Sequence, residues 1–331
     1  MSVLKFIAHE IKRFDPKQTA ELHARPSLCE VDDNTHMLLG ELKRAFNNRT
    51  SKRYGQFNPD IGNNPMPAWI KDYMSDGMPF ETFTQKASEH FLAVLDGSEC
   101  MFEGHIIFCE EELLDAHWLY VFHLQHKSAL LINNNLDIIE TEYADATHLG
   151  FGARINLSQW KEGTSDKFLS ISRARGDKDL EDLFIQFIGF ADTIDVPKET
   201  NNFLEVVDEY AKQFDDEKGK EYRAKVVDYC LEQDKAGEPV VYKELSSHVN
   251  EENPEGFEQF VRSQQEVTDE TLILDRGKLR KYSRISGRTK DLALSFSASL
   301  MGSDVLYNPQ TETLTLKNLP KSLLRQLKSM N

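Results

Sequence analysis

GHIIFCEEELLDAHWLYVFHLQHKSALLI, residues 104–132, is the stretch on which the fold turns. Its apolar, β-branched and aromatic residues fall into three runs, 104–109, 118–125 and 129–132, separated by the charged breaks EEELLDAH and HKS. Each run has strand length and strand composition, and such short breaks suit antiparallel neighbours. Downstream, 153–157 and 168–173 extend the same sheet. A helix follows over 179–190, with Leu183, Phe184, Phe187 and Ile188 on its apolar side. Upstream, 3–14 reads as a strand, and a helix capped by Asn34 or Thr35 runs to Asn47 with Met37, Leu38, Leu42 and Phe46 inward. The Gly-, Pro- and Asn-rich 54–79 reads as a long loop, and 80–95 as a helix carrying Phe83, Ala87, Phe91 and Leu95 on one side.

Runs of strands between helices predict an α+β fold: a mostly antiparallel sheet with flanking helices, then a helical block and a small C-terminal α+β part. The chain of 331 residues is long enough for two cores, and Asp195-Val196-Pro197-Lys198 marks the expected boundary. The expected domains are an α+β N-terminal domain, 1–198, and a C-terminal domain, 199–331. The latter divides into an acidic helical block, 199–275, with helices over 202–214, 218–235 and 242–249, and a basic α+β tail, 276–331. In the tail, strands over 291–297 and 311–317 flank a Tyr307-Asn308-Pro309 turn, and 320–328 is a helix entered through Pro320.

With 40% hydrophobic and 28% charged residues the composition is that of a globular protein. The longest stretch without Asp, Glu, Lys or Arg is 292–303, too short and too Ser-rich to span a bilayer. Glu10 and Asp15 interrupt what would be the apolar core of a signal peptide. Cys29, Cys100, Cys109 and Cys230 form no CxxC pair and no disulfide framework, so reduced thiols and a cytoplasmic location are expected, with no membrane partner.

The net charge of −16 argues against a nucleic-acid ligand until its distribution is examined. Residues 276–331 hold eleven Lys or Arg against Asp291, Asp304 and Glu312, a net of +8, whereas 199–275 carry −13. An acidic block followed directly by a basic one suits either a polyanion-facing surface or charge pairing within the chain. The densest segment is 276–290. It holds Arg276, Lys278, Arg280, Lys281, Arg284, Arg288 and Lys290 around Tyr282, with no acid among them. As a helix it aligns Arg276, Arg280, Arg284 and Arg288; as a strand it projects Arg280, Tyr282 and Arg284 together. Gly277 and Gly287 favour the strand. Either geometry spaces guanidinium groups for successive phosphates. Lys167, Arg173, Arg175 and Lys178 form a secondary basic cluster. Neither cluster carries a base-reading motif, so the expected contact is with the phosphate backbone, doubled if the chain is a homodimer.

Signs of catalysis are sparse. His117, His123 and His126 lie close in sequence, but a strand puts only the first two on one face, and neither CxxC nor HExxH occurs. GxSxG and GxxxxGK[ST] are absent. Asp137 and Asp145 leave a metal-dependent nuclease as the enzymatic alternative. No metal or other cofactor is called for, and the primary reading is non-catalytic.

Asn135-Leu136-Asp137-Ile138, Tyr143-Ala144-Asp145, His148, Ala153-Arg154-Ile155-Asn156-Leu157 and Trp160 together resemble the central signature of the NdpA-type bacterial nucleoid-associated proteins. Phe184 to Gly189, Phe203 to Tyr210, Tyr307-Asn308-Pro309, Thr313 to Lys317, Pro320 and Leu323 to Leu327 continue it in the same order. The resemblance covers the whole chain. It implies a cytoplasmic protein of the nucleoid that binds double-stranded DNA, with RNA as a competing polyanion, takes part in bacterial chromosome organisation and has no catalytic activity. It also implies association with a type II topoisomerase, which supports an alternative: an adaptor brought to the nucleoid by that enzyme. It transfers no catalytic or base-reading residue, so the candidate contacts above rest on charge. Within the signature, Asp145 and His148 are placed to bond around a helix start, with Arg154 as a partner for Asp145.

Overall fold

The structure, a computed structural model, describes residues 2–49, 52–59, 64–113, 116–173, 178–264 and 271–329, without the side chains of His148, Arg173 and Ser299. The chain divides into two compact units, Met1–Asp195 and Val196–Asn331.

The first unit runs β1 (Ser2–Arg13), β2 (Glu21–His23), α1 (Asp33–Asn47), β3 (Arg53–Phe57), α2 (Met66–Met74), α3 (Phe80–Asp96), β4 (Phe102–Leu113), β5 (Ala116–Ile132), β6 (Ile138–Asn156), α4 (Leu157–Glu162), β7 (Leu169–Arg173), α5 (Lys178–Ile188) and β8 (Phe190–Asp192). Its strands form one sheet in the order β2-β1-β4-β5-β6-β7-β3-β8, with every pairing antiparallel. This is the α+β architecture read from residues 104–132.

Both faces of the central strands are covered. Ile106, Phe108, Leu119 and Val121 point into a core shared with Phe83, Phe91 and Phe187 of α3 and α5. The alternate residues Ile107, Cys109, Tyr120 and Phe122 pack on Leu39, Leu42 and Phe46 of α1. Covering on both sides explains why these strands read as continuous apolar runs instead of alternating ones.

Three sequence expectations are corrected here. Runs 118–125 and 129–132 belong to one strand, β5, because the polar HKS between them stays in the ladder with β6 through Lys127↔Tyr143 and Ser128↔Glu142. Helix α1 is capped by Asp32, whose Oδ1 accepts from the Thr35 amide at 2.8 Å. That cap places Thr35, Leu39, Leu42 and Phe46 inward and leaves Met37 exposed. The expected loop 54–79 contains β3 and α2, and α2 starts through Pro65 and Pro67, which fit a first helical turn.

The second unit opens with α6 (Val196–Ala211), α7 (Asp216–Ala236), β9 (Val240–Val241), α8 (Tyr242–Val249), α9 (Gly256–Gln264) and β10 (Thr271–Leu272). It continues with α10 (Arg276–Ser283), β11 (Arg284–Arg288), β12 (Ala293–Ser297), a 3-10 turn at Ala298–Leu300, β13 (Val305–Asn308), β14 (Thr313–Leu316) and α11 (Lys321–Ser329). Phe203, Val207, Tyr210, Tyr222, Val226, Leu245, Phe257 and Leu279 make its core. Asp215 caps the start of α7 through the Lys218 amide, and Gly237 ends it at φ 81° in the left-handed conformation that glycine takes without strain. Beyond α10, Val305 is the one fully buried residue among those described.

Candidate nucleic-acid interface

Segment 276–290 adopts each of the two geometries its sequence allows, one after the other. Residues 276–283 are helical because Asp275 caps them: its Oδ1 accepts from the Lys278 amide at 2.7 Å, and its own amide donates to Thr200 Oγ1 at 2.7 Å. At Arg284 the chain turns extended and pairs with β12 in the register Arg284↔Ser297, Ser286↔Ser295 and Arg288↔Ala293.

The helix sorts its cations. Arg276, Leu279 and Tyr282, three residues apart, face inward. Arg276 is buried, and its Nε donates to Asp234 of α7. The Tyr282 hydroxyl donates to Asp208 Oδ1 at 2.6 Å, the same oxygen that accepts from Arg223 Nε at 2.6 Å. Burial, reinforced by that carboxylate, raises the phenol's pKa and keeps it a donor. Arg276 and Tyr282 therefore tie α10 to α7 and α6, and the unit's own acids occupy the groups that a phosphate or base would have met. Lys278 is half-buried, with Nζ 2.9 Å from Asn201 Oδ1.

The other five cations face solvent. Arg280 and Lys281 lie on the outer side of α10, and Arg284, Arg288 and Lys290 on or beside the wholly exposed β11. Among the described residues none of the five has an ion-pair partner. Arg284 donates from Nε to Ser295 Oγ at 3.1 Å, which holds its guanidinium over a face floored by Ser286, Ser295, Ser297 and Ala293. Arg284 and Arg288 are four residues apart on one face of a strand, about 13 Å at ~3.3 Å per residue, too far apart to share one small anion.

Beside this surface lies an open groove of about 560 Å³, lined by Lys220, Arg223, Val227, Leu231, Arg280 and Arg284. Lys220 and Arg223 sit in the block that reads as acidic and were missed by charge counting. Their spacing with Ala224, Val227 and Leu231 puts them on the apolar stripe of α7, and that stripe was the available signal.

The secondary cluster is only partly placed. Lys167 is half-buried ahead of β7, Lys178 is exposed at the start of α5, Arg173 ends β7, and Arg175 lies outside the described residues.

The three histidines of β5 do not converge: His117 and His123 are six residues apart on the strand, about 20 Å at ~3.3 Å per residue, and register shifts lie between His123 and His126. His117 Nδ1 lies 3.2 Å from Glu110 Oε1, and His126 stacks on His105 with centroids 4.6 Å apart. His123 is buried between Phe102 and Phe151, in space left by Gly104 and Gly150; a Cβ on Gly150 would lie 2.2 Å from its Nδ1. Burial lowers the His123 pKa to about 4. Asp137 sits in the β5–β6 turn. Asp145, Arg154 and the backbone of residue 148 lie on β6, which corrects the helix start expected there. The strand persists because β5 and β6 resume pairing at His126↔Ala144 after the shift. Asp145 accepts from the Thr147 amide at 3.0 Å and lies 3.7 Å from Lys127 Nζ; Arg154 lies over Trp118, 3.8 Å from its centroid. Among the described residues no three His, Cys, Asp or Glu side chains converge as a metal set, and no helix is long and apolar enough to cross a membrane.

These features define a class: a two-unit α+β protein, acidic overall, with a group of exposed cations, without ion-pair partners among the described residues, on one C-terminal surface. The chain matches the family model NA37, described as nucleoid-associated protein YejK, over residues 7–324, and it belongs to that family. It is 32% identical to a nucleoid-associated protein of Pseudomonas entomophila, with 99% of each chain covered. It is 31% identical to one of Pseudomonas putida strain GB-1 over 99% of each, and 30% identical to one of Pseudomonas fluorescens over the full length of both.

Proposed function

We propose that this protein is a non-catalytic, sequence-nonspecific DNA-binding protein of the bacterial nucleoid, which holds the phosphate backbone of double-stranded DNA through its C-terminal surface. The observation that carries the reading is the set Arg280, Lys281, Arg284, Arg288 and Lys290, exposed together without an ion-pair partner among the described residues while the rest of the molecule is acidic. Membership of a nucleoid-associated family supports it. Arg276 and Tyr282 act one step back, by fixing α10 so that its outer side presents Arg280 and Lys281. The acidic helices repel DNA elsewhere and confine contact to this surface, and a homodimer presents it twice.

The test is fluorescence anisotropy with a labelled duplex titrated across salt, on the protein and on Arg280→Glu/Arg284→Glu. A phosphate-directed contact gives a log–log slope of roughly −0.9 per phosphate neutralised. The double variant should lose at least tenfold in affinity, and about two units of slope. A single-stranded RNA of equal length, run alongside, measures the competing polyanion. A folded protein that fails to bind at low salt overturns direct binding and assigns nucleoid association to a protein partner, such as a type II topoisomerase.

A further inference from the structure

The groove beside Arg280 and Arg284 has walls that duplex binding does not use. Ala224, Val227 and Leu231 lie on one stripe of α7, and Ala298 of the 3-10 turn and Tyr282 of α10 complete an apolar lining. Stacked, paired bases and a charged backbone offer such walls nothing to cover. The groove's volume, about 560 Å³, falls in the ~300–1,000 Å³ usual for small-molecule sites.

The polar groups around it divide into those engaged within the chain and those with capacity left. Arg223 and Tyr282 are engaged: both donate to Asp208 Oδ1, each at 2.6 Å, and this joins α6, α7 and α10 behind the groove. Lys220 is exposed and donates from Nζ to the Met301 carbonyl at 3.0 Å, which leaves two of its three N–H groups. Arg284 reaches Ser295 through Nε at 3.1 Å and Nη2 at 3.3 Å, so three of its five N–H groups remain. Arg280 makes no side-chain hydrogen bond or ion pair among the described residues. One acid of the lining, Asp228 on α7, is exposed and likewise has no partner among them.

These groups specify a ligand. Lys220, Arg280 and Arg284 against Asp228 leave the groove at +2, in a chain whose net charge is −16, and +2 matches a phosphomonoester dianion. A carboxylate brings only one negative charge, and inorganic phosphate leaves the apolar walls bare. A hydrocarbon chain would cover the walls but set Asp228 against a surface with no hydrogen-bond donor. A flat, partly apolar body that carries a phosphate at one end and hydroxyl or amine donors along its edge meets all three demands. A nucleoside monophosphate has that constitution, and guanidinium planes stack on bases as well as pairing with phosphate.

We propose that the groove between α7 and α10 is a binding site for a free nucleoside monophosphate. Lys220, Arg280 and Arg284 hold its phosphate, the base lies against Ala224, Val227, Leu231 and Ala298, and Asp228 accepts from a ribose hydroxyl. Arg280 and Arg284 also belong to the surface proposed for DNA, so nucleotide and duplex compete for them, and the nucleotide lowers DNA affinity. Binding of the nucleotide stands independently of the proposed function; only the competition rests on it.

The experiment is equilibrium dialysis of the full chain against labelled adenosine 5′-monophosphate at low salt, with adenosine and inorganic phosphate as competitors. One nucleotide should bind per chain, at least tenfold more tightly than either competitor. Absence of binding at millimolar nucleotide overturns the proposal, and so does a nucleotide held no more tightly than inorganic phosphate. Lys220→Glu, which reverses a cation at the groove, should weaken binding at least tenfold. Ala224→Leu, which fills the floor without changing charge, should do the same and leave duplex affinity within twofold. Either variant binding the nucleotide as tightly as the unsubstituted chain overturns the site. Should circular dichroism show Ala224→Leu unfolded, Ala298→Leu replaces it. Duplex anisotropy with added nucleotide completes the test, and displacement of the duplex is expected. A nucleotide that binds without displacing a bound duplex overturns the placement of its phosphate on Arg280 and Arg284. A duplex that never binds removes the DNA reading alone and leaves the dialysis result standing.

Discussion

Strand pair β5–β6 is one continuous hairpin in two environments. Near the sheet, Leu119, Tyr120, Val121, Phe122 and Leu124 are buried, with α1 covering one side and α3 with α5 the other. Farther out, Leu130, Leu131 and Ile132 continue the same ladder, and among the described residues nothing covers them. The two halves have similar apolar content and the same backbone pairing, so neither property decides burial. Strand formation is a local matter of composition and ladder hydrogen bonds; burial is conferred by whichever elements the rest of the chain brings alongside. Where none is brought, an apolar strand is a surface awaiting a partner.

The comparison can be broken at three points. The largest effect belongs to Phe122→Ala. Phe122 stacks on Tyr120 at 5.6 Å and meets Phe46 of α1 edge-on at 6.1 Å, so its truncation opens a cavity costing about 3–5 kcal/mol, read by urea denaturation. A cost under about 1 kcal/mol would mean that the inner half is as loosely held as the outer.

Next comes pH. His9 and His123 are buried on the inner half of the sheet, and burial lowers the pKa of each to about 4. His9 accepts from the Arg25 amide at Nδ1 and lies 3.0 Å from Thr84 Oγ1 at Nε2, partners that suit the neutral ring. A histidine that titrates near 6.5 when unfolded and near 4 when folded leaves the unfolded chain holding more protons between those values. Stability is therefore full above about pH 6.5 and falls as pH drops toward 4, by up to about 3 kcal/mol for each ring. Urea midpoints for the protein and for His123→Phe check this; the variant should lose part of the slope between pH 6.5 and 4. An unchanged slope would place the acid sensitivity elsewhere.

The smallest effect is expected at Leu130→Ser. At dilutions where association contributes nothing, it should change stability by less than about 0.5 kcal/mol, as for an exposed site. A loss of 2 kcal/mol or more would show that the outer half is packed within the chain itself, and would remove the contrast between the two halves.

Much of the first unit was legible. Residues 104–109 and 118–125 read as strands because burial on both faces leaves a run of β-branched and aromatic residues, and α3 declared itself through Phe83, Ala87, Phe91 and Leu95, all of which are buried. The frame of α1 was misread because Asp32, Asn34 and Thr35 are all good caps, and only the bond from the Thr35 amide to Asp32 selects among them. Helix α2 was hidden because proline signals a break in general, but favours a helix at its first turn.

The candidate site was legible as composition, less so as geometry. The density of cations over 276–290 is plain in the sequence, and so is their separation from the acidic block. That Arg276 and Tyr282 turn inward is not, because their partners Asp234 and Asp208 stand 42 and 74 positions away. For Lys220 and Arg223 the sequence offers only their place on the stripe of α7: α7 and α10 must meet before cations from an acidic helix can line a groove with Arg280 and Arg284.

By itself, then, the sequence determined what short-range physics controls: which segments extend or coil, that the fold is α+β, and that positive charge is concentrated near the C-terminus. Tertiary structure alone decided which of those charges remain free for a phosphate and which of the apolar strand residues end inside. Both outcomes depend on desolvation and pairing between residues far apart in the chain, and only the assembled fold brings those partners within reach.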